Sequence, residues 1–106
     1  MSVVRRSSAF IRWHKRLRDR QAVARINARI DRLAAGNPGD AKNVGNGISE
    51  MRIDYGPGYR VYYKDTGREI ILLLCGGDKR TQDRDIADAK KIAQLYEEEQ
   101  DYGNGR

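Results

Sequence analysis

The sequence predicts an α+β domain: an N-terminal strand and a two-helix hairpin on a mostly antiparallel sheet of four to five strands, closed by a C-terminal helix. Three observations predict it. Apolar residues recur at helical spacing from Phe10 to Leu33. They alternate at period two through Ile48–Tyr55 and Tyr59–Lys64. The stretch Ile70–Gly77 then carries no charge at all before Asp78, Lys79 and Arg80 arrive together.

The elements follow in order. Ser2–Arg6 holds the β-branched pair Val3 and Val4 and reads as a short strand. From Ser8 the period changes: Phe10, Trp13 and Leu17 share one helical face, with Ser7 or Ser8 as the N-cap. The opposite face carries Arg12, Lys15, Arg16 and Arg18, and the lone His14 belongs with them as a solvated residue. A second helix over Arg20–Ala35 buries Ala22, Ile26, Ile30 and Leu33 and stops at Gly36 before the turn residues Asn37–Asp40. Arg25, Arg29 and Arg32 form a stripe on it that reads as a solvated face. The two helices pair as an antiparallel hairpin.

Ala41–Val44 reads as an edge strand. Gly56-Pro57-Gly58 joins the two alternating strands, and Asp65–Arg68 makes the next turn. Glu69–Cys75 is so continuously apolar that it belongs at the centre of the sheet, covered on both faces. Gly76-Gly77 then reads as a flexible joint to a helix beginning near Thr81, whose face is Ile86, Ala89, Ala93 and Tyr96. Asp83 and Asp85 suit the positive end of that helix. The expected core is Phe10, Trp13, Leu17, Ile26, Ile30, Leu33, Met51, Ile53, Val61, Tyr63, Ile71 and Leu73.

Composition bounds the rest. A chain of 106 residues with 39% hydrophobic content supports a single domain over 1–106, with an acidic, glycine-rich tail from 97 that frays. No apolar run approaches the roughly 18 residues of a membrane span, and the first residues lack a signal peptide's apolar core. One cysteine, Cys75, fits a reducing cytoplasm and packs as a small hydrophobe. With one His and one Cys, no metal cluster of the usual kind is available, and no cofactor motif is present. The net charge of +6 is uneven: residues 1–32 carry +8, 33–82 carry +1 and 83–106 carry −3. A basic surface of this kind draws polyanions.

Candidate chemistry converges on one sheet face. If Tyr55 faces Tyr59 across the hairpin, Asp54 opposes Arg60, Arg52 opposes Tyr62 and Glu50 opposes Lys64. Alternation then places all of these on one open face, opposite Met51, Ile53, Val61 and Tyr63. Arg52, Arg60, Tyr62 and Lys64, joined by Lys79 and Arg80 from the next strand end, form a phosphate cradle. Cross-strand ion pairing alone accounts for Glu50 and Lys64 equally well.

Several segments together resemble the addiction-module killer protein branch of the RelE/ParE toxin superfamily. They are Leu33–Asp40, Ser49–Ile53, Tyr55–Tyr62 and Leu73–Lys79 with Thr81-Gln82 and Asp85-Ile86, spanning about residues 3–96. The resemblance implies a RelE-like fold and the toxin half of a type II toxin–antitoxin pair. It implies a cytoplasmic protein partnered by a helix-turn-helix antitoxin, meeting operator DNA only through that antitoxin. In the RelE branch the activity is ribosome-dependent mRNA cleavage, a metal-independent endoribonuclease reaction. In the ParE branch it is inhibition of DNA gyrase, and a degenerate toxin would bind only its antitoxin.

The resemblance carries over residue by residue. Arg60 matches the arginine that binds the scissile phosphate, and the cation after the last strand matches Lys79 or Arg80. Together with Glu50 as a base, these are the expected catalytic set; Arg52, Tyr62 and Lys64 are the expected RNA-phosphate contacts. Ile86 stands where the family places a Tyr, so the proton-transfer partner departs from the pattern.

Overall fold

The computed structural model describes the backbone of residues 1–104 and the side chains of residues 1–97. Its elements are β1 (Val3–Arg6), α1 (Ser8–Arg16), α2 (Arg20–Ala34), β2 (Ala41–Gly45), β3 (Ile48–Ile53), β4 (Tyr59–Asp65), β5 (Ile70–Gly77) and α3 (Gln82–Asn104), with a 3₁₀ turn at Lys79–Thr81. The expected frayed tail over 97–106 falls almost wholly outside the residues whose side chains are described.

The sheet order is β1-β5-β4-β3-β2, with β1 parallel to β5 and the other neighbours antiparallel. β5 pairs with β1 and β4 along its edges, and its apolar residues are covered by the helix hairpin on one face and α3 on the other, as the lack of charge requires. The helix N-caps are local chemistry. Ser7 Oγ accepts from the Phe10 N–H and donates to the Leu74 carbonyl, tying α1 to β5. Asp19 accepts from the Gln21 and Ala22 N–H groups at the start of α2.

The side chains of the strands divide between two layers. Phe10, Ile26, Ile30 and Leu33 from the helix hairpin pack on Met51, Ile53, Val61, Tyr63, Ile71 and Leu73, with Trp13 and Leu17 at the margin. Every residue expected in the core is in or against this cluster. A second cluster, which the sequence reading left out, fills the opposite face. There Ile48, Tyr62, Leu72, Leu74 and Cys75 meet Ala89 and Ala93 of α3.

The hairpin register differs from expectation. Ile53 pairs with Tyr59, Arg52 with Arg60, Glu50 with Tyr62, and Ser49 with Tyr63. The loop is therefore five residues, with Gly56 and Gly58 at φ 58° and 81°, a conformation that favours glycine. Tyr55 is drawn out of pairing: its hydroxyl donates to Asp19 (3.0 Å) and the Arg25 guanidinium lies 4.7 Å above its ring. Since the slip is a whole pair, each residue keeps its face.

The glycine pair is also not a loose joint. Gly76 and Gly77 are the last residues of β5, opposite Val61 and Arg60. A register shift between Tyr62 and Tyr63 marks a bulge on this ladder, so Leu74 and Cys75 both join the cluster at α3. Beyond the bulge the faces are exchanged. A Cβ on Gly76 would lie 2.3 Å from the Trp13 ring, and one on Gly77 would lie 1.8 Å from Asp85 Oδ2. The glycines are there because an indole from α1 and a carboxylate from α3 occupy the space.

Two other readings change. His14 is not merely solvated: Nε2 lies 2.9 Å from Asn27 Oδ1 and the ring stacks on Phe10, joining α1 to α2. The arginine stripe is likewise engaged, because Arg29 donates to the Arg52 carbonyl (2.7 Å) and the Pro38 carbonyl (3.0 Å).

Candidate functional site

The expected open face is closed by α3. Glu50 and Tyr62 are fully buried and Arg60 is 8% exposed, because the alternation that grouped them also turned them toward the helix. Burying an acid, a phenol and a guanidinium is costly unless each finds partners. Most of them do. Tyr62 OH donates to Glu50 Oε2 at 3.0 Å, Gln82 Nε2 donates to the same oxygen at 2.7 Å, and Arg60 Nε stands 3.6 Å from it. Arg60 Nη1 donates to the Gly58 carbonyl at 2.8 Å. Glu50 Oε1 and Arg60 Nε are buried without a hydrogen-bond partner.

Burial pushes the Tyr62 hydroxyl far above its ordinary value, with the neighbouring Glu50 charge adding to it, so it acts as a donor and not as a titrating base. Cys75 is pushed up to about 12 by burial first and then by Asp85 and Asp88, and its thiol donates to the Asp85 carbonyl at 3.4 Å. That is the inert buried cysteine the sequence suggested.

The cations separate into committed and uncommitted groups. Arg80 is drawn onto Asp78, with Nη2 3.1 Å from Oδ2, and this hydrogen bond holds the Asp78 carboxyl below its usual range. Lys64 is paired with Glu97 of α3, away from Arg60. Arg52 lies across from Arg60 and is bridged to Asp40 at 3.2 Å. Lys79 is exposed and forms no ion pair among the described residues. A Cβ placed on Gly58 would sit 3.3 Å from Arg60 Nη1 and 3.7 Å from Lys79 Cβ, so these two cationic residues flank one turn. Between Lys79 and Arg80, the geometry sets Lys79 beside Arg60.

Thus Glu50, Arg60 and Tyr62 come together beneath α3, Lys79 joins Arg60 at the Gly58 turn, and Arg52 lies across the strand pair. Lys64 and the Arg80 guanidinium are held elsewhere. Next to the cluster, a shallow concavity of about 270 Å³ is lined by residues 79–84 at the start of α3. Among the described residues, no group of three or more acids, histidines or cysteines is placed to hold a metal ion.

Gln82 is a residue of this cluster to which the sequence alone assigns no role. A signal was available: Gln82 precedes Ile86, Ala89 and Ala93 by 4, 7 and 11 positions, so it lies on the buried stripe of α3. A polar residue on a buried stripe requires a polar partner.

No family model matches the chain, and no solved structure matches it. A Haemophilus influenzae protein described as "Uncharacterized protein" is 52% identical over 91 residues, covering 86% of this chain and 92% of that one. Similarity of that extent, over most of both chains, shows that the chain belongs to the same family as the Haemophilus influenzae protein.

Proposed function

We propose that the protein is the toxin of a type II toxin–antitoxin system, arresting growth by ribosome-dependent mRNA cleavage. One observation carries the reading. Arg60 and Arg52 are direct cross-strand neighbours, and Lys79 packs against the same turn as Arg60. Like charges opposed across a strand pair are destabilising. Asp40 beside Arg52 and Glu50 beside Arg60 offset part of that repulsion. A phosphate between these cations offsets more of it, and the exposed Lys79 end offers it access.

In this reaction the RNA 2′-oxygen attacks the adjacent phosphorus, the bond to the 5′-oxygen breaks, and a 2′,3′-cyclic phosphate forms. Arg60 clamps the developing dianion, an electrostatic role that suits a guanidinium because it does not give up its proton. Lys79 protonates the departing 5′-oxygen. The 2′-hydroxyl gives its proton to solvent water as the new P–O bond forms, because Glu50, sealed beneath α3, supports Arg60 instead of taking that proton. Cytoplasmic action, the RelE-like fold relationship, the ribosome and a helix-turn-helix antitoxin all belong to the same proposal.

Inducing the chain in cells and mapping mRNA 5′ ends tests it. Codon-phased cuts are expected, and Arg60→Ala should lower cleavage on the order of 10²–10³-fold, the loss seen when one transition-state donor is removed. Intact messages with stalled gyrase would replace this reading with gyrase inhibition. Neither effect would leave a chain that only binds its antitoxin.

A further inference from the structure

We infer that Gln82 is a positioning residue: from the first turn of α3 it fixes the Glu50 carboxylate, and through it the guanidinium of Arg60. The inference rests on the nuclease reading for its consequence in activity, but not for its geometry.

Two neutral donors, Gln82 Nε2 at 2.7 Å and Tyr62 OH at 3.0 Å, meet on Glu50 Oε2. Arg60 Nε approaches that same oxygen at 3.6 Å, too far for a good hydrogen bond, and the other carboxylate oxygen has no partner. The carboxylate is therefore held by neutral groups, leaving Arg60 attracted but not saturated. A guanidinium in that state keeps N–H groups for an incoming anion while its direction is set from behind. A fully formed bidentate pair would spend the same donors internally. Of the two neutral donors, Tyr62 is on the strand that carries Arg60, whereas Gln82 comes from another element. It is the link by which α3 is registered on the anion end of the sheet.

The charged and titratable groups facing Glu50 are Arg60 and Tyr62 from β4 and Lys42, its cross-strand partner on β2; from α3, the charge of Asp85 reaches Tyr62. Lys42 is exposed. Gln82 is the neutral contact whose replacement by an acid changes the proton count at Glu50.

The experiment compares Gln82→Ala and Gln82→Glu in the full chain. Gln82→Ala should keep a cooperative fold, lower kcat about tenfold and leave KM within about twofold, because a misdirected Arg60 loses its grip mainly on the dianion. Gln82→Glu sets two carboxylates in contact, and they share a proton at low pH. Its activity should approach the unsubstituted protein at low pH and fall as pH rises through the titration of the pair. The unsubstituted protein should not follow that profile.

A Gln82→Glu profile superimposable on the unsubstituted one would overturn the inference. So would an Arg60 Nε–H resonance left unmoved by Gln82→Ala in NMR spectra. That resonance decides the geometry without any activity. If Arg60→Ala cleaves normally, the nuclease reading fails by itself, while a shifted resonance still supports the positioning role.

Discussion

The two faces of the sheet are built from alternate residues of the same strands, yet they hold their partners differently. Toward α1 and α2, Met51, Ile53, Val61 and Tyr63 meet Phe10, Ile26, Ile30 and Leu33 in an apolar layer. Toward α3, Glu50, Tyr62 and Arg60 are buried among Ile48, Leu72 and Leu74 and depend on Gln82 for part of their hydrogen bonding. The first face stabilises by burying area, which is tolerant of exact direction. The second holds a charge in place, and its groups are useful only in one arrangement.

The sharpest way to break this comparison is to remove one charge from the α3 face. Glu50→Leu should destabilise by about 3–5 kcal/mol, because it leaves Arg60 buried without its acid. Adding Arg60→Met should restore much of that loss in urea denaturation. Ile30→Ala on the other face should cost about 2–5 kcal/mol, and no charge change should recover it. If the single and double variants on the α3 face unfold alike, the cost there is packing and the distinction fails.

Next in size is Gly76→Ala, which forces a methyl into the Trp13 ring and should cost about 1–3 kcal/mol as overpacking. Trp13→Ala in the same chain should remove the clash, so the two changes together should cost less than their separate sum. Simple additivity in a double-mutant cycle would mean that the backbone, not the indole, sets the glycine requirement.

Ser7→Ala, which cuts a cap shared by α1 and β5, should cost about 1 kcal/mol in thermal unfolding. The least intrusive test is pH. Burial raises Asp85, opposed by its hydrogen bond from Thr81, so the native chain takes up this proton before the unfolded chain does. The stabilising effect of that proton is complete below the ordinary value of 3.8 and is lost as pH rises through the raised native value. Asp85→Asn should therefore flatten this part of the curve of urea midpoint against pH. An unchanged curve would place the titration on another group.

The apolar face was legible because period two in the strands and period 3.6 in the helices each report burial by local spacing. The α3 face was only half legible. Grouping Glu50, Arg52, Arg60 and Tyr62 on one side needed only parity, and a slip of a whole residue pair left parity intact. Whether that side met water depended on where α3 came to rest. Gly76 and Gly77 were misread for a related reason: the groups that require them, Trp13 and Asp85, lie far away or on another element.

The sequence by itself determined the order of elements, the apolar core against the helix hairpin, and which strand residues share a face. It did so because backbone geometry repeats locally and because uncharged strands need burial. Only the tertiary structure decided that α3 covers the charged side and that Arg60 stands across from Arg52. It also decided that Lys79 lies beside Arg60 while Arg80 turns to Asp78, and that Gln82 reaches Glu50. Those facts come from loop length, a bulge and helix placement, which are settled by packing between segments distant in the chain.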